Sequence, residues 1–212
     1  YGDSGEVINT VDQLLTYYGK SAGLWELQAL IKLSPVAGNI ELGWSFLERT
    51  KPLFVERIKA AGGRDVVVRN IREMRSKAVQ QYRSDAPDVK NGVGGIRDIE
   101  FIAQALQMVH ARYYPEALTG NTIMALSKLE EGGVLDHETV TQLKSDYVFL
   151  RRIEHFLQVY EDRQLHTIPG DPGARRKLAR LVLGPEEDLG RFSERLDEVL
   201  RRVRGFYDQL LQ

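Results

Sequence analysis

The sequence predicts an all-α fold, an irregular bundle of helices. Apolar residues recur three and four positions apart along most of the 212 residues, as they do on the buried face of a helix. Glycines, prolines and capping residues divide these stretches at short intervals. Val66-Val67-Val68 could instead form a short strand, but no partner strand is evident. Because each helix has one apolar stripe to bury, a bundle is the expected architecture.

Four helices are predicted before residue 64, each bounded by a capping residue, a proline or a glycine. Proline is the strongest of these signals, because the residue before it avoids the α region. We therefore expect Lys51-Pro52 to end one helix and to start the next. The four helices are 10–19 with Thr10 as N-cap, 24–33 ended by Pro35, one that Asn39 caps and that runs through Leu47, and one after Pro52 that ends at Gly62-Gly63.

Six further helices are predicted after residue 63. The polar stretch 84–95, which contains proline and glycine, separates the first of them from the second and is the best candidate for a hinge. A second loop, 166–173, contains two prolines. The six helices are 64–83, 96–113, 121–129, a long helix that Asp136 caps, 174–183 and 186–211.

The composition excludes several classes of function. The net charge of −1 gives no basic field for a nucleic acid, and no apolar run reaches the ~20 residues that cross a bilayer. There is no cysteine, which fits the reducing cytoplasm where we expect the protein to act. The four histidines lack the spacing of metal ligands, so no metal site is predicted. The chain does not begin with Met, and we expect it to be a piece of a longer polypeptide.

The junction at 90–102 combines three glycines with a helix whose first turn is charged. Gly92, Gly94 and Gly95 precede Arg97 and Glu100. The first amides of a helix have no partner within the helix and carry partial positive charge, so an anion could bind there. The alternative is a tight connection in which Arg97 and Glu100 form structural ion pairs. Both interpretations are open at this point.

Two helices carry polar stripes beside their apolar faces. One stripe contains Arg97, Glu100 and Gln104, at the spacing of one helix face. The other lies on the long helix after Asp136. If the helices pack antiparallel, we expect Arg97 to pair with Glu154, and Glu100 with Arg151 or Arg152. Such a network either holds the bundle in register or leaves arginines facing a cleft, where guanidinium suits phosphate. The second stripe consists of Arg151, Glu154, His155 and Gln158.

Taken in order, these landmarks resemble glutamine synthetase adenylyltransferases, bifunctional enzymes that attach AMP to glutamine synthetase and remove it. The resemblance spans nearly the whole chain, and the glycine junction with Ile96-Arg97-Asp98-Ile99-Glu100-Phe101 is its most specific part. The matching blocks are Tyr1-Gly2-Asp3-Ser4-Gly5, Leu24-Trp25-Glu26, Ala29-Leu30-Ile31-Lys32, Pro35-Val36-Ala37-Gly38, 69–75, 90–104, 150–158, His166-Thr167-Ile168-Pro169 and 203–207.

The resemblance implies a domain organisation. Enzymes of this family have two halves, each a nucleotidyltransferase domain followed by a helical domain, and this chain is similar to the helical domain of the first half, which removes AMP by phosphorolysis. Residues 1–9 would then be the end of the upstream nucleotidyltransferase domain, with a short remnant of its sheet, and 10–212 the helical bundle. The Asp-x-Asp motif that binds Mg²⁺ would lie upstream, so Mg²⁺ and ATP, ADP or phosphate are implied for the parent and no cofactor for this chain. We expect no catalytic residue here and no activity from this chain alone.

The resemblance also implies which residues face the nucleotidyltransferase cleft. Lys32 and Arg97 would contact phosphate, Glu100 would orient Arg97, and Gly94 and Gly95 would allow a close approach. The expected partners are the upstream domain, glutamine synthetase and a PII protein, and neither nucleic acid nor membrane. The alternatives are a non-catalytic interaction module and the related domain of a PII uridylyltransferase. The chain departs from the family pattern at Leu27, Ser34 and Asn39, where arginine, arginine and an acidic residue are common.

Overall fold

The computed structural model describes residues 8–81, 86–161, 166–186 and 188–212, and these residues confirm the all-α fold. They form nine α-helices and one short 3-10 helix, Pro115–Ala117, and contain no sheet. Residues 1–7, which carry most of the expected remnant of the nucleotidyltransferase sheet, lie outside the described residues. The α-helices are α1 Val11–Lys20, α2 Leu24–Leu30, α3 Ile40–Ala61, α4 Arg64–Gln81, α5 Ile96–His110, α6 Thr122–Glu131, α7 His137–Glu161, α8 Pro172–Leu183 and α9 Leu189–Leu210.

Helix α5 is the centre of the bundle. It packs against α3, α4, α6, α7 and α9. From Ile96 to Met108, every residue is buried except Arg97 and Glu100. A helix that is apolar on most of its circumference is stable only inside a protein, so the other helices assemble around α5. The two exceptions are residues that the sequence analysis singled out.

The prediction that Pro52 divides two helices is wrong, because α3 continues through it. Phe46, Thr50, Phe54 and Ile58 are buried at intervals of four residues on both sides of the proline. This single stripe packs against α1, α4 and α5. A proline inside a helix costs about 3 kcal/mol. Burial of three large side chains on one continuous face offsets this cost, at about 1.5–3 kcal/mol for each.

The loop before α5 is anchored to the loop before α8. Residues 84–85 of the predicted hinge lie outside the described residues, and 86–95 are described. The N–H of Val89 donates to the carbonyl of His166 at 2.8 Å, and the N–H of Ile168 donates to Pro87 at 2.9 Å. Asp88 and Thr167 form an isolated antiparallel bridge. These backbone bonds join two loops that are about eighty positions apart in the sequence.

Gly205 offers a stability test. It lies inside α9, is exposed, and a Cβ atom built on it meets no heavy atom within 4 Å. Glycine in a helix loses more backbone freedom on folding than alanine does. We expect Gly205→Ala to raise the free energy of unfolding by about 0.5–1 kcal/mol in urea denaturation. An unchanged or lower value would contradict the description of α9 as a regular, open helix at this position.

Candidate functional site

The glycines of the junction allow close backbone packing, Gly94 on α9 and Gly95 within its own loop. Gly94 has a φ of +78°, a left-handed conformation that glycine adopts without strain. A Cβ atom on Gly94 would lie 1.9 Å from the carbonyl oxygen of Leu200 in α9. A Cβ atom on Gly95 would lie 2.7 Å from the carbonyl oxygen of Val89. Both glycines are buried, so this part of the junction belongs to the core.

The first amides of α5 have protein partners, which favours the tight connection over an anion bound by these amides. The N–H of Ile96 donates to the carbonyl of Val89 at 2.9 Å, and the N–H of Arg97 donates to Lys90 at 3.0 Å. The N–H of Gly94 donates to Oδ2 of Asp98 at 2.7 Å. An anion beside this helix must therefore be held by side chains.

Asp98 forms a buried ion pair with two hydrogen bonds. Its carboxylate, only 2% exposed, accepts two bonds from the guanidinium of Arg75, at 2.6 and 2.7 Å. The same guanidinium lies 4.3 Å from the ring centre of Tyr207. Burial raises the pKa of Tyr207 to about 12. This cluster links α4, α5 and α9, and its role is structural.

Arg97 and Glu100, the two half-buried residues of 96–108, belong to a line of polar side chains that we call the polar seam. Its members come from the turn after α2, from α5 and α7, and from the two loops that are bridged at Asp88 and Thr167. They are Lys32, Lys90, Arg97, Glu100, Tyr147, Arg151, Glu154 and His166.

At one end of the polar seam, Glu100 holds Lys32 in place. The ammonium of Lys32 lies 3.7 Å from Oε1 of Glu100 and donates to the hydroxyl of Thr122 at 2.9 Å. The hydroxyl of Tyr147 donates to Glu100 at 3.1 Å. Burial raises the pKa of Tyr147, so its hydroxyl keeps its proton at neutral pH. Glu100 therefore positions Lys32, whereas the sequence analysis expected it to orient Arg97.

At the other end, the buried carboxylate of Glu154 collects cations. It is 3% exposed and pairs with Arg151 at 2.6 Å and with Lys90 at 3.1 Å. Nδ1 of His166 lies 3.5 Å from the same carboxylate. Burial lowers the pKa of His166, and the charge of Lys90 lowers it further, although Glu154 acts in the opposite direction. His166 is therefore neutral at pH 7.

The ion pairs of the described residues differ from those expected. Glu154 pairs with Arg151 and Lys90, and Glu100 pairs with Lys32. Arg152 donates to the carbonyl of Leu181 at 3.2 Å. Arg97 is half-buried, and its guanidinium forms no hydrogen bond or ion pair with the part of the chain that the structure describes. Sequence reasoning missed Lys90 and His166, because nothing in their local pattern shows that two distant loops meet.

The polar seam has a surplus of positive charge. Lys32, Lys90, Arg97 and Arg151 are cations, whereas Glu100 and Glu154 are the carboxylates opposite them. With His166 neutral, cations outnumber anions by two in this set. A partly buried arginine without a carboxylate partner suits an oxyanion such as phosphate, because the planar guanidinium can donate two parallel hydrogen bonds to two of its oxygens.

A cleft of about 460 Å³ opens beside Lys32. It lies between the end of α2, the first half of α3 and the segment 118–121. Of the three departures from the family pattern, only Ser34 lines the cleft; Leu27 is fully buried, and Asn39 accepts a bond from the N–H of Leu42 as the N-cap of α3. Leu27 and Asn39 thus have structural roles here.

The described residues contain neither a metal-ligand cluster nor a helix that could span a membrane. In the described ranges, no three histidine, aspartate or glutamate side chains come together as metal ligands do. None of the helices described has the length and apolar character that crossing a membrane requires.

The fold and the polar seam define an all-α domain that gathers cations beside a cleft. A family model described as GlnD PII-uridylyltransferase matches residues 67–211, more than half of the chain. The chain therefore belongs to the GlnD PII-uridylyltransferase family.

Curated relatives extend the similarity to the whole chain. Three of them are called bifunctional glutamine synthetase adenylyltransferase/adenylyl-removing enzyme. The protein from Cutibacterium acnes is 34% identical over 100% of this chain, and the chain covers 22% of it. The protein from Streptomyces avermitilis is 36% identical over 99% of this chain, and the chain covers 21% of it. The protein from Mycobacterium tuberculosis is 37% identical over 100% of this chain, and the chain covers 22% of it. The resemblance to this enzyme is confirmed, and the chain spans about a fifth of the length of these relatives.

Proposed function

We propose that the chain is the helical domain of a bifunctional glutamine synthetase adenylyltransferase/adenylyl-removing enzyme. In this proposal it lines one side of the active cleft of a nucleotidyltransferase domain in the same polypeptide, and it helps to recognise glutamine synthetase in the cytoplasm. Similarity along the whole chain to enzymes of that name supports the assignment. The observation that carries the role in the cleft is the guanidinium of Arg97, which has no partner among the described residues and lies on a seam with surplus positive charge.

The chemistry that this role serves is phosphorolysis of AMP from a modified protein. An oxygen of inorganic phosphate forms a bond to the phosphorus of the AMP group, and the bond from that phosphorus to the protein's side-chain oxygen breaks, which yields ADP and the free side chain. Arg97 and Lys32 bind and orient the phosphate by charge-assisted hydrogen bonds. Glu100 and Thr122 hold Lys32 in place. Since the described residues form no metal-ligand cluster, we assign Mg²⁺, which offsets phosphate charge, to the nucleotidyltransferase domain.

Substitution of Arg97 in a full-length enzyme tests this role. We expect Arg97→Ala to lower kcat/KM for inorganic phosphate about 100-fold in AMP release from adenylylated glutamine synthetase, as the loss of one preorganised charged donor does. Arg97→Lys should restore part of the loss, because it keeps the charge without the planar fork.

Arg112 provides the matched control. It is exposed, and its guanidinium stacks on the ring of Tyr113 away from the polar seam. Arg112→Ala should leave the rate of AMP release unchanged. Equal rates for the Arg97→Ala enzyme and the unsubstituted enzyme would remove the proposed phosphate contact.

A second candidate function rests on the family match. The family model carries the description of a PII-uridylyltransferase, so a UMP-transferring parent that acts on a PII protein is the alternative activity. The choice of nucleotide would be made in the nucleotidyltransferase domain, and an assay of the full-length enzyme with ATP and with UTP separates the two. The third possibility is a non-catalytic interaction module. It would be supported if the full-length protein transferred neither nucleotide but bound glutamine synthetase.

A further inference from the structure

The cleft beside Lys32, which we call the Trp44 cleft, has the size of a small-molecule site. Its volume of about 460 Å³ is within the range of ligand pockets. Gly120 closes one side of it, because a Cβ atom there would lie 3.1 Å from the carbonyl oxygen of Ile31 and 3.3 Å from Cα of Lys32. The segment 118–121 is therefore held against the end of α2, and the cleft is a defined feature of the fold.

One wall of the Trp44 cleft is aromatic and apolar. The indole of Trp44 is 52% exposed and the side chain of Leu33 is 49% exposed, although both line a concave surface. Behind them Phe54 and Leu30 are buried and complete the wall. A flat ring that covers this wall would remove its apolar surface from water. Stacking of a base on an aromatic side chain contributes about 1–3 kcal/mol to the free energy of binding.

The rim of the Trp44 cleft is cationic. Lys32 and Lys51 both line it, with about one third of each side chain exposed. Glu48 pairs with Lys51 at 2.6 Å, and the other lining side chains are uncharged, so the ammonium groups outnumber carboxylates. Asn121 uses its Oδ1 to cap α6, and its amide nitrogen has no partner among the described residues. Glu100 lies 3.7 Å from Lys32 but outside the lining, so the rim offers hydrogen-bond donors and two ammonium groups, each with one carboxylate partner.

We propose that the Trp44 cleft binds a nucleoside monophosphate, with the base against Trp44 and the phosphate between Lys32 and Lys51. In such a ligand the planar base contacts the aromatic wall and the phosphate contacts the cationic rim. A base alone would not contact the rim, and phosphate alone would not cover the wall. The proposal rests on the proposed function in one respect: it places the nucleotide beside Lys32, next to the phosphate that Arg97 would hold.

Titration of the 212-residue chain with AMP, adenosine and inorganic phosphate tests the proposal. The chain has two tryptophans, so Trp25→Phe leaves Trp44 as the single fluorescent indole. We expect AMP to quench this fluorescence and to bind at least about 10-fold more tightly than adenosine or phosphate, since ring stacking and charge act together. Calorimetry on the unsubstituted chain should give the same order.

Three variants locate the bound AMP. Trp44→Leu should weaken AMP binding about 10-fold, by loss of stacking on the indole. Lys51→Gln should weaken AMP binding about 3-fold while leaving adenosine binding unchanged, as loss of one partly screened charge does. Lys59→Gln, on the same helix but outside the cleft and exposed, should have no effect.

The outcomes separate this proposal from the proposed function. Absence of AMP binding by the folded chain, equal affinity for phosphate alone, or AMP binding that Trp44→Leu does not weaken would overturn the nucleotide site. None of these results affects the outcome of the Arg97 test, because that test measures AMP release by the full-length enzyme. Conversely, AMP binding in the cleft together with an inactive or uridylylating full-length enzyme would retain this site and reject the proposed function.

Discussion

Gly94→Ala is expected to lower the free energy of unfolding by about 4 kcal/mol, or to prevent folding altogether. An added Cβ atom would lie 1.9 Å from the carbonyl oxygen of Leu200, so α5 and α9 would have to move apart. Overpacking of this kind costs about 1–3 kcal/mol, and a left-handed conformation costs an alanine about 1–2 kcal/mol more. Urea denaturation followed by circular dichroism measures the loss.

Gly133→Ala separates the two causes. Gly133 has a φ of +68°, close to that of Gly94, but a Cβ atom there meets no heavy atom within 4 Å. We expect a loss of only about 1 kcal/mol, the conformational cost alone. Equal losses for the two variants would show that contact between the junction and α9 is not as close as described.

Asp98→Asn is the second large effect, with an expected loss of about 3 kcal/mol. Removal of one partner from a buried ion pair leaves the other charge uncompensated. Arg75 would keep its place over the ring of Tyr207 but lose a carboxylate that now accepts two of its hydrogen bonds. The bond from the N–H of Gly94 to this carboxylate would also weaken. Chemical denaturation of the purified variant gives the value.

Asp12→Asn is the matched control for a charged pair. Asp12 and Arg49 lie 2.9 Å apart, but their side chains are 85% and 52% exposed. Solvent-exposed pairs contribute about 0–1 kcal/mol, so a small change is expected. A loss as large as that of Asp98→Asn would mean that the burial of Asp98 is not the source of its effect.

Local signals in the sequence were sufficient to predict most of the helices. Asp136 caps α7 as expected, since its carboxylate accepts from the N–H of Thr139 at 2.8 Å, and Thr10 caps α1. Both caps depend on residues three positions away, which a local pattern contains. The effect of Pro52 could not be predicted locally because it depends on tertiary packing: the buried stripe from Phe46 to Ile58 continues through the proline.

The candidate site was predictable only in part, for the same reason. Arg97 and Glu100 stood out from the sequence, and they are the two positions of 96–108 that α5 does not bury. Their surroundings did not stand out, because Lys32 approaches Glu100 from the turn after α2, which is far away in the sequence. The Trp44 cleft likewise combines α2, α3 and the segment 118–121. Contacts between residues so far apart in the sequence depend on tertiary packing, and the local spacing of residue types does not show them.

The central claim is that Arg97 contacts phosphate in the cleft of a neighbouring nucleotidyltransferase domain, and a crystal structure of the full-length enzyme with phosphate and AMP bound tests it most directly. The account predicts a guanidinium nitrogen of Arg97 at about 2.7–3.2 Å from a phosphate oxygen, with Lys32 on the same ligand. A structure in which Arg97 instead pairs with a carboxylate of another domain, remote from any phosphate, would contradict it.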